Sequence, residues 1–180
     1  QAFLKQGKGD LQLKPIRGNI ETRLKKLQEG HYDGIILAQA SMFRLDLEAK
    51  YHCYLCDRSW FIPSSSQGVI GIETRKDDHR INRILQSITC QKTMLCTTIE
   101  RMVMEKLGAD CQMPVGVFVE MHDEQYVCSV AVMNREGDEV RVKKNFSINE
   151  EKDFIASKIV ENLKRNGVNN LLVEMGLMPV

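Results

Sequence analysis

A cysteine thiolate is the softest and strongest side-chain nucleophile, and one cysteine of this sequence stands where a tether would. Cys111 lies in Gly108-Ala-Asp-Cys-Gln-Met-Pro-Val-Gly116, bounded by glycine and proline, between a long helical pattern and a strand. Taken alone, such a residue is more often a small buried hydrophobe than a reaction site. Arginines supply a second chemistry. Arg17 precedes Gly18 at a strand-to-helix turn, Arg23 follows in that helix, and Arg44 comes after the next strand. Guanidinium forks bind carboxylates through paired hydrogen bonds, and the helix opened by Asn19 offers free backbone N–H groups to an anion. Ligands of open α/β sheets collect beyond the carboxyl ends of strands. This grouping suits a ligand with several carboxylates, and it suits solvated surface charge equally well. A third grouping, Cys53-Tyr-Leu-Cys56 beside His52, has CxxC spacing. A zinc site would want a second pair or well-spaced histidines, so no metal is expected.

The elements that must position these groups follow from the apolar periodicity. Residues 1–9 read as a helix end closed by Gly7 and Gly9. Leu11 to Ile16 alternates as a strand, and Ile20, Leu24 and Leu27 recur at helical spacing before Gly30. Gly34 to Ala38 is a continuous apolar run. Strand, helix, strand at these lengths is a βαβ unit and predicts a parallel sheet. A short helix over 40–47 precedes an irregular stretch over 48–66, whose Pro63-Ser-Ser-Ser66 reads as a linker. Gly68 to Thr74 is a glycine-punctuated strand, followed by helices over 77–86 and 89–107, the second capped by Thr89. Strands over 115–121, 126–133 and 140–146 with turn signals between them form an antiparallel meander, and Asn149 caps a last helix over 150–165. The pattern changes from α/β to α+β near residues 86–90.

Composition narrows the class. The 180 residues are 43% hydrophobic and 27% charged with net charge +1, as in ordinary globular chains. Nothing here argues for nucleic acid or a membrane surface as partner, no apolar run matches a membrane span, and no signal peptide is evident. The six cysteines then read as reduced thiols in a cytoplasmic protein. The first residue is Gln, and the chain starts abruptly inside a helical pattern, which reads as a piece of a longer chain.

Four blocks in order sharpen this. Ile16-Arg-Gly-Asn-Ile-Glu-Thr-Arg-Leu-Lys-Lys-Leu27 is followed by Tyr32-Asp-Gly-Ile-Ile-Leu-Ala38 with Arg44-Leu45. Gln67-Gly68, Gly71-Ile72-Glu73 and Arg75 come next, then Cys111-Gln112-Met113-Pro114. Together they resemble the porphobilinogen deaminase family, also called hydroxymethylbilane synthases, over essentially the whole chain. The resemblance implies α/β plus α+β architecture: a partial doubly wound domain like those of periplasmic binding proteins, followed by a small α+β domain with a three-stranded antiparallel sheet. It places an N-terminally incomplete second domain at 1–66, a return segment toward an absent first domain at 67–88, and the cofactor-attachment domain at 89–180.

The family's activity is the stepwise condensation of four porphobilinogen molecules. Each loses ammonia to give an electrophilic azafulvene, and water finally releases linear hydroxymethylbilane. The resemblance makes Cys111 the thioether attachment point of a dipyrromethane cofactor, with Arg17, Arg23 and Arg101 around it. A thioether would survive repeated cycles that hydrolyse a thioester. Arg17, Arg23, Arg44, Asn19, Gln67 and Gly68 would contact the substrate and growing chain. Arg101 could instead pair with Glu105 on the helix surface. The family's catalytic aspartate belongs to the first domain, so no residue here is assigned that role; Asp33 reads as structural and Asp110 as a solvated loop acid. Ala40-Ser41-Met42, Ser64-Ser65-Ser66 and Ala109-Asp110 depart from the family pattern without removing a ligand. Tyr51 to Phe61 is poorly covered and reads as a divergent surface helix. The implied partners are porphobilinogen and the polypyrrole chain, on a monomer without nucleic acid or membrane. Two rivals stand beside this reading: an inactive truncated remnant that at most binds carboxylated pyrroles, and a CxxC redox or zinc protein.

Overall fold

The computed structural model describes Leu4 and residues 11–109, 113–134 and 136–180. The packed centre is the meander expected from the sequence. Strands β1 (Val115–His122), β2 (Gln125–Met133) and β3 (Glu139–Ser147) form one antiparallel sheet in the order β1-β2-β3. Alternation assigns its two faces. The row Val117, Val130, Val142 belongs to the main core, with Val115, Val119, Tyr126, Cys128 and Phe146 on the same face.

Two long helices cover that face. Helix α4 (Gln91–Lys106) brings Cys96, Ile99 and Val103 to the core, and α5 (Lys152–Arg165) brings Ile155, Ala156, Ile159, Val160 and Leu163. Both sets recur at the three-to-four-residue spacing of a single helix face. Burying each such aliphatic side chain contributes roughly 1.5–3 kcal/mol, so this face dominates the stability of the fold. No sequence expectation covers the last helix, α6 (Val168–Glu174). Gly167, at φ 92°, turns the chain through the left-handed region, where glycine is favoured. Val168, Leu171 and Leu172 then bury against the same core.

Residues 11–88 contain α1 (Ile20–Gln28), α2 (Gln39–Arg44) and α3 (His79–Ile88). The βαβ unit and its parallel sheet are not formed here. Leu11 to Ile16, Gly34 to Ala38 and Gly68 to Thr74 do not form strands. An extended run becomes a strand only when a neighbour takes its N–H and C=O groups. Among the described residues no such neighbour lies beside these three segments, and Ile36, Val69, Ile70 and Ile72 stay exposed. The expected helix end at 1–9 lies, apart from Leu4, outside the described residues.

Two expected caps are also corrected. The Thr89 hydroxyl donates to the carbonyl of Leu85 at the end of α3, leaving Cys90 at the N-cap of α4. The Asn149 N–H donates to Ser147 Oγ, and Glu151 is the N-cap of α5.

Residues 48–66 are irregular, as expected, and no surface helix forms over Tyr51 to Phe61. Residues 59–63 run as a strap across the sheet face turned away from the helices. They follow one cross-strand row, Arg141 on β3, Ala131 on β2 and Gly116 on β1. Arg141 donates from its guanidinium to the carbonyls of Ser59 and Trp60, the latter at 2.9 Å. Ile62 is buried over Gly116, where a Cβ would stand only 2.6 Å from the Ile62 carbonyl oxygen. The Val117 N–H then donates to the Pro63 carbonyl at 2.9 Å. Arg58 completes the attachment, 2.8 Å from Glu120 and stacked over Phe118. Small residues at 116 and 131 leave the room that Ile62 fills.

Candidate functional site

The first candidate surface is built at the start of α1. Gly18 has φ 119°, which turns the chain so that Asn19 can cap the helix. Asn19 Oδ1 accepts from the Thr22 N–H and the Thr22 hydroxyl, both at 2.8 Å. Arg23 folds back and its Nε donates to the Gly18 carbonyl at 2.8 Å, while Lys26 Nζ donates to the Arg17 carbonyl at 3.1 Å. The structure therefore gathers Arg17, Asn19, Arg23 and Lys26 at one helix end. The Arg17 guanidinium is exposed and has no acidic partner among the described residues, and Arg23 spends only Nε on the backbone. Uncompensated guanidinium groups beside a helix N-terminus fit carboxylates.

The remaining expected site residues are dispersed. Arg44 ends α2 on the surface, and Arg101 is exposed on α4, where it forms no ion pair with Glu105. Gln67 and Gly68 follow the strap in a turn in which the Ser64 hydroxyl donates to Gln67 Oε1 at 3.3 Å. Cys111 lies outside the described residues, as does Asp110. What the structure gives is the two anchors of that loop. Ala109 and Met113 pack against the main core, and the Met133 N–H donates to the Pro114 carbonyl at 3.1 Å.

One residue was missed by sequence reasoning. Glu100 sits on the buried face of α4, between Ile99 and Val103, and is only 3% exposed. Its Oε1 accepts from the Val119 N–H at 2.9 Å and its Oε2 from the Ser66 N–H at 2.7 Å. Burial pushes its carboxyl above the ordinary carboxylate range, with the Ser66 and Val119 N–H bonds and the Arg101 charge pulling the other way. A carboxylate in the apolar stripe Cys96, Ile99, Val103 was the available signal. Glu100 lines a cleft of about 240 Å³ together with Ser66, Gln67, Lys92, Thr97 and His122.

The thiols divide by environment. Cys128 is fully buried, and desolvation, with Cys96 and Glu100 adding to it, raises its pKa to about 12. Cys90 is exposed, and bonds from the Thr93 hydroxyl and backbone lower its pKa. Cys53 and Cys56 are free thiols, and among the described residues no group of three or more His, Cys, Asp or Glu could hold a metal ion. Nor is any described helix long and apolar enough to cross a membrane.

Comparison with known proteins adds an independent line. Residues 1–83 match the family model described as "Porphobilinogen deaminase, dipyromethane cofactor binding domain", and residues 94–164 match "Porphobilinogen deaminase, C-terminal domain". Cys111 falls within the second match. A porphobilinogen deaminase of Coxiella burnetii is 38% identical over 97% of this chain and 57% of its own length. A probable porphobilinogen deaminase of Sulfurisphaera tokodaii is 33% identical over 92% of this chain and 56% of its own. One from a Roseiflexus species is 38% identical over 73% and 43%. The chain thus spans about half the length of the curated relatives it matches.

Proposed function

Since the chain belongs to the porphobilinogen deaminase family, we propose that it serves the stepwise condensation of four porphobilinogen molecules into linear hydroxymethylbilane, with loss of ammonia at each addition. The observation that carries this reading is the presence of both domain matches, in order, on one chain. In this reading Cys111 bonds a dipyrromethane cofactor through a thioether. That group supplies the free pyrrole carbon from which the product grows. Arg17 and Arg23 hold its carboxylates, and Arg101, in the last turns of α4 and ten residues before Cys111 in the sequence, neutralises further charge. Arg44 and Asn19, with Gln67 and Gly68, orient the incoming porphobilinogen.

The geometry supports the carboxylate role specifically. Arg17 and Arg44 have guanidinium groups that no described acid neutralises, and Asn19 fixes the helix end beside Arg17. The doubly wound character of 1–66, the return segment at 67–88 and the attachment domain at 89–180 belong to the same proposal. The exposed apolar runs at 34–38 and 68–74 are what such strands would show without their neighbours.

The test is an intact mass of the protein from its native source. Two pyrrole units mapped to Cys111, and their loss in Cys111→Ser, are the expected outcome. A bare Cys111 in protein that turns over porphobilinogen would refute the attachment.

A further inference from the structure

We propose that Glu100 is a positioning residue, a two-sided latch that fixes the turn bearing Gln67 and Gly68 against the edge of β1. This rests on the reading of Gln67 and Gly68 as substrate-contacting residues. Strand β1 is an edge strand, and an edge presents unpaired N–H groups. Two of those groups are taken here in succession. The Val117 N–H goes to the Pro63 carbonyl, and the Val119 N–H goes to Glu100 Oε1. The carboxylate therefore continues, for one further residue, the ladder that the strap begins.

The other oxygen of the same carboxylate faces the opposite way, onto the Ser66 N–H at 2.7 Å. Ser66 holds φ 59°, a conformation an L residue adopts at a cost. Among the described residues the buried Ser66 Oγ has no hydrogen-bond partner. Its backbone N–H bond to Glu100 adds to the bonds that hold the strained turn. Val69 N–H then closes the turn on the Ser66 carbonyl at 3.2 Å. Gln67 and Gly68 lie inside this short loop, so Glu100 fixes their position relative to β1 together with the Pro63 carbonyl that receives the Val117 N–H. Strand β1 leads back at its other end to the Cys111 loop, through Val115 and Pro114. The latch therefore ties the proposed substrate turn to the element that follows the proposed tether.

Glu100→Gln is the informative variant. It has the same shape, but its amide oxygen can accept only one of the two N–H groups, and its nitrogen opposes the other. In the full-length protein, amide hydrogen exchange at Ser66 or Val119 is expected to quicken about tenfold or more, while Val130 in the centre of the sheet is unchanged. The KM for porphobilinogen is expected to rise roughly tenfold with kcat altered far less. Unchanged exchange at both Ser66 and Val119 would overturn the latch. Faster exchange with an unchanged KM would overturn the positioning role. If wild type neither turns over porphobilinogen nor carries a pyrrole mass, the proposed function fails, and the exchange measurement still decides the latch. Should Glu100→Gln not fold, Glu100→Asp keeps the charge but is one methylene too short to reach both donors. Failure of both to fold would assign Glu100 to the core and overturn the proposal.

Discussion

Replacing Gly116 with alanine should detach the strap from the sheet, although glycine-to-alanine changes inside strands ordinarily stabilise by about 0.5–1 kcal/mol. The added Cβ would stand 2.6 Å from the Ile62 carbonyl oxygen, 2.9 Å from Ile62 Cβ and 3.0 Å from Ile62 Cγ2. A side chain could rotate away from such a contact, but a backbone oxygen cannot. The strap must therefore lift, which strains or breaks the neighbouring bond from Val117 N–H to the Pro63 carbonyl. Small adjustments of this kind cost roughly 1–3 kcal/mol. Full detachment sets the ceiling. Ile62, now 3% exposed, would lose about 1.5–3 kcal/mol of burial. The backbone bond adds about 1 kcal/mol, and the exposed Arg58–Glu120 pair adds at most about 1 kcal/mol. The Arg141 bonds to the Ser59 and Trp60 carbonyls add about 1 kcal/mol each if they also break, and the helix-covered face of the sheet is untouched, so the total should not exceed about 7 kcal/mol. Urea unfolding followed by circular dichroism measures the loss. Trp60, the sole tryptophan and itself part of the strap, reports detachment separately through a red-shifted emission in native buffer. Stability within about 0.5 kcal/mol of wild type, together with unaltered Trp60 emission, would refute the close-packing argument.

Three further outcomes are expected. Ser66→Gly relieves the left-handed residue and removes a buried hydroxyl without a partner among the described residues, so it should be neutral or stabilising by up to about 1 kcal/mol in thermal unfolding; a marked loss would show that the turn depends on the side chain. Under iodoacetamide at pH 8, Cys90 should alkylate before the other described cysteines and Cys128 only after denaturation, read by peptide mass, because one thiol is exposed and lowered while the other is buried and raised to about 12. For Glu100, burial is the leading influence and raises the carboxyl. The folded state then binds its proton more tightly than the unfolded chain, so this contribution is full below the ordinary glutamate pKa of about 4.3 and fades as pH rises through the raised value. The stability advantage of wild type over Glu100→Gln should shrink from pH 4 toward pH 7, and a widening gap would refute burial as the governing cause.

The parts of this fold that were legible in the sequence are those whose signals are local. The meander at 115–146 shows alternation and clear turn residues, and its strands appear within a residue or two of their expected bounds. Helix α1 follows from Asn19 and the spacing of Ile20, Leu24 and Leu27, and its cap forms as expected. What the sequence hid depends on distant partners. The apolar run Gly34 to Ala38 looks the same whether or not a strand lies beside it. The strap gives no periodic signal, because its attachments come from Arg141, Gly116 and Glu120, which lie about 54 to 82 positions away in the chain. Of the candidate site, the Arg17, Asn19 and Arg23 cluster was readable because it is one helix turn, and Glu100 was overlooked because its two partners lie 34 and 19 residues off.

The strap also imposes an order on the making of the protein. Trp60 leaves the ribosome 81 residues before Arg141, the residue that grips its carbonyl. At typical elongation of about 5–20 residues per second, that interval is roughly 4–16 s, far longer than a loop or hairpin needs to form. Throughout it Ile62 and its neighbours have no sheet to cover. Strap docking is therefore a late, non-local step of nascent-chain folding, and residues 59–63 stay open to a chaperone that shields short apolar segments until β3 emerges.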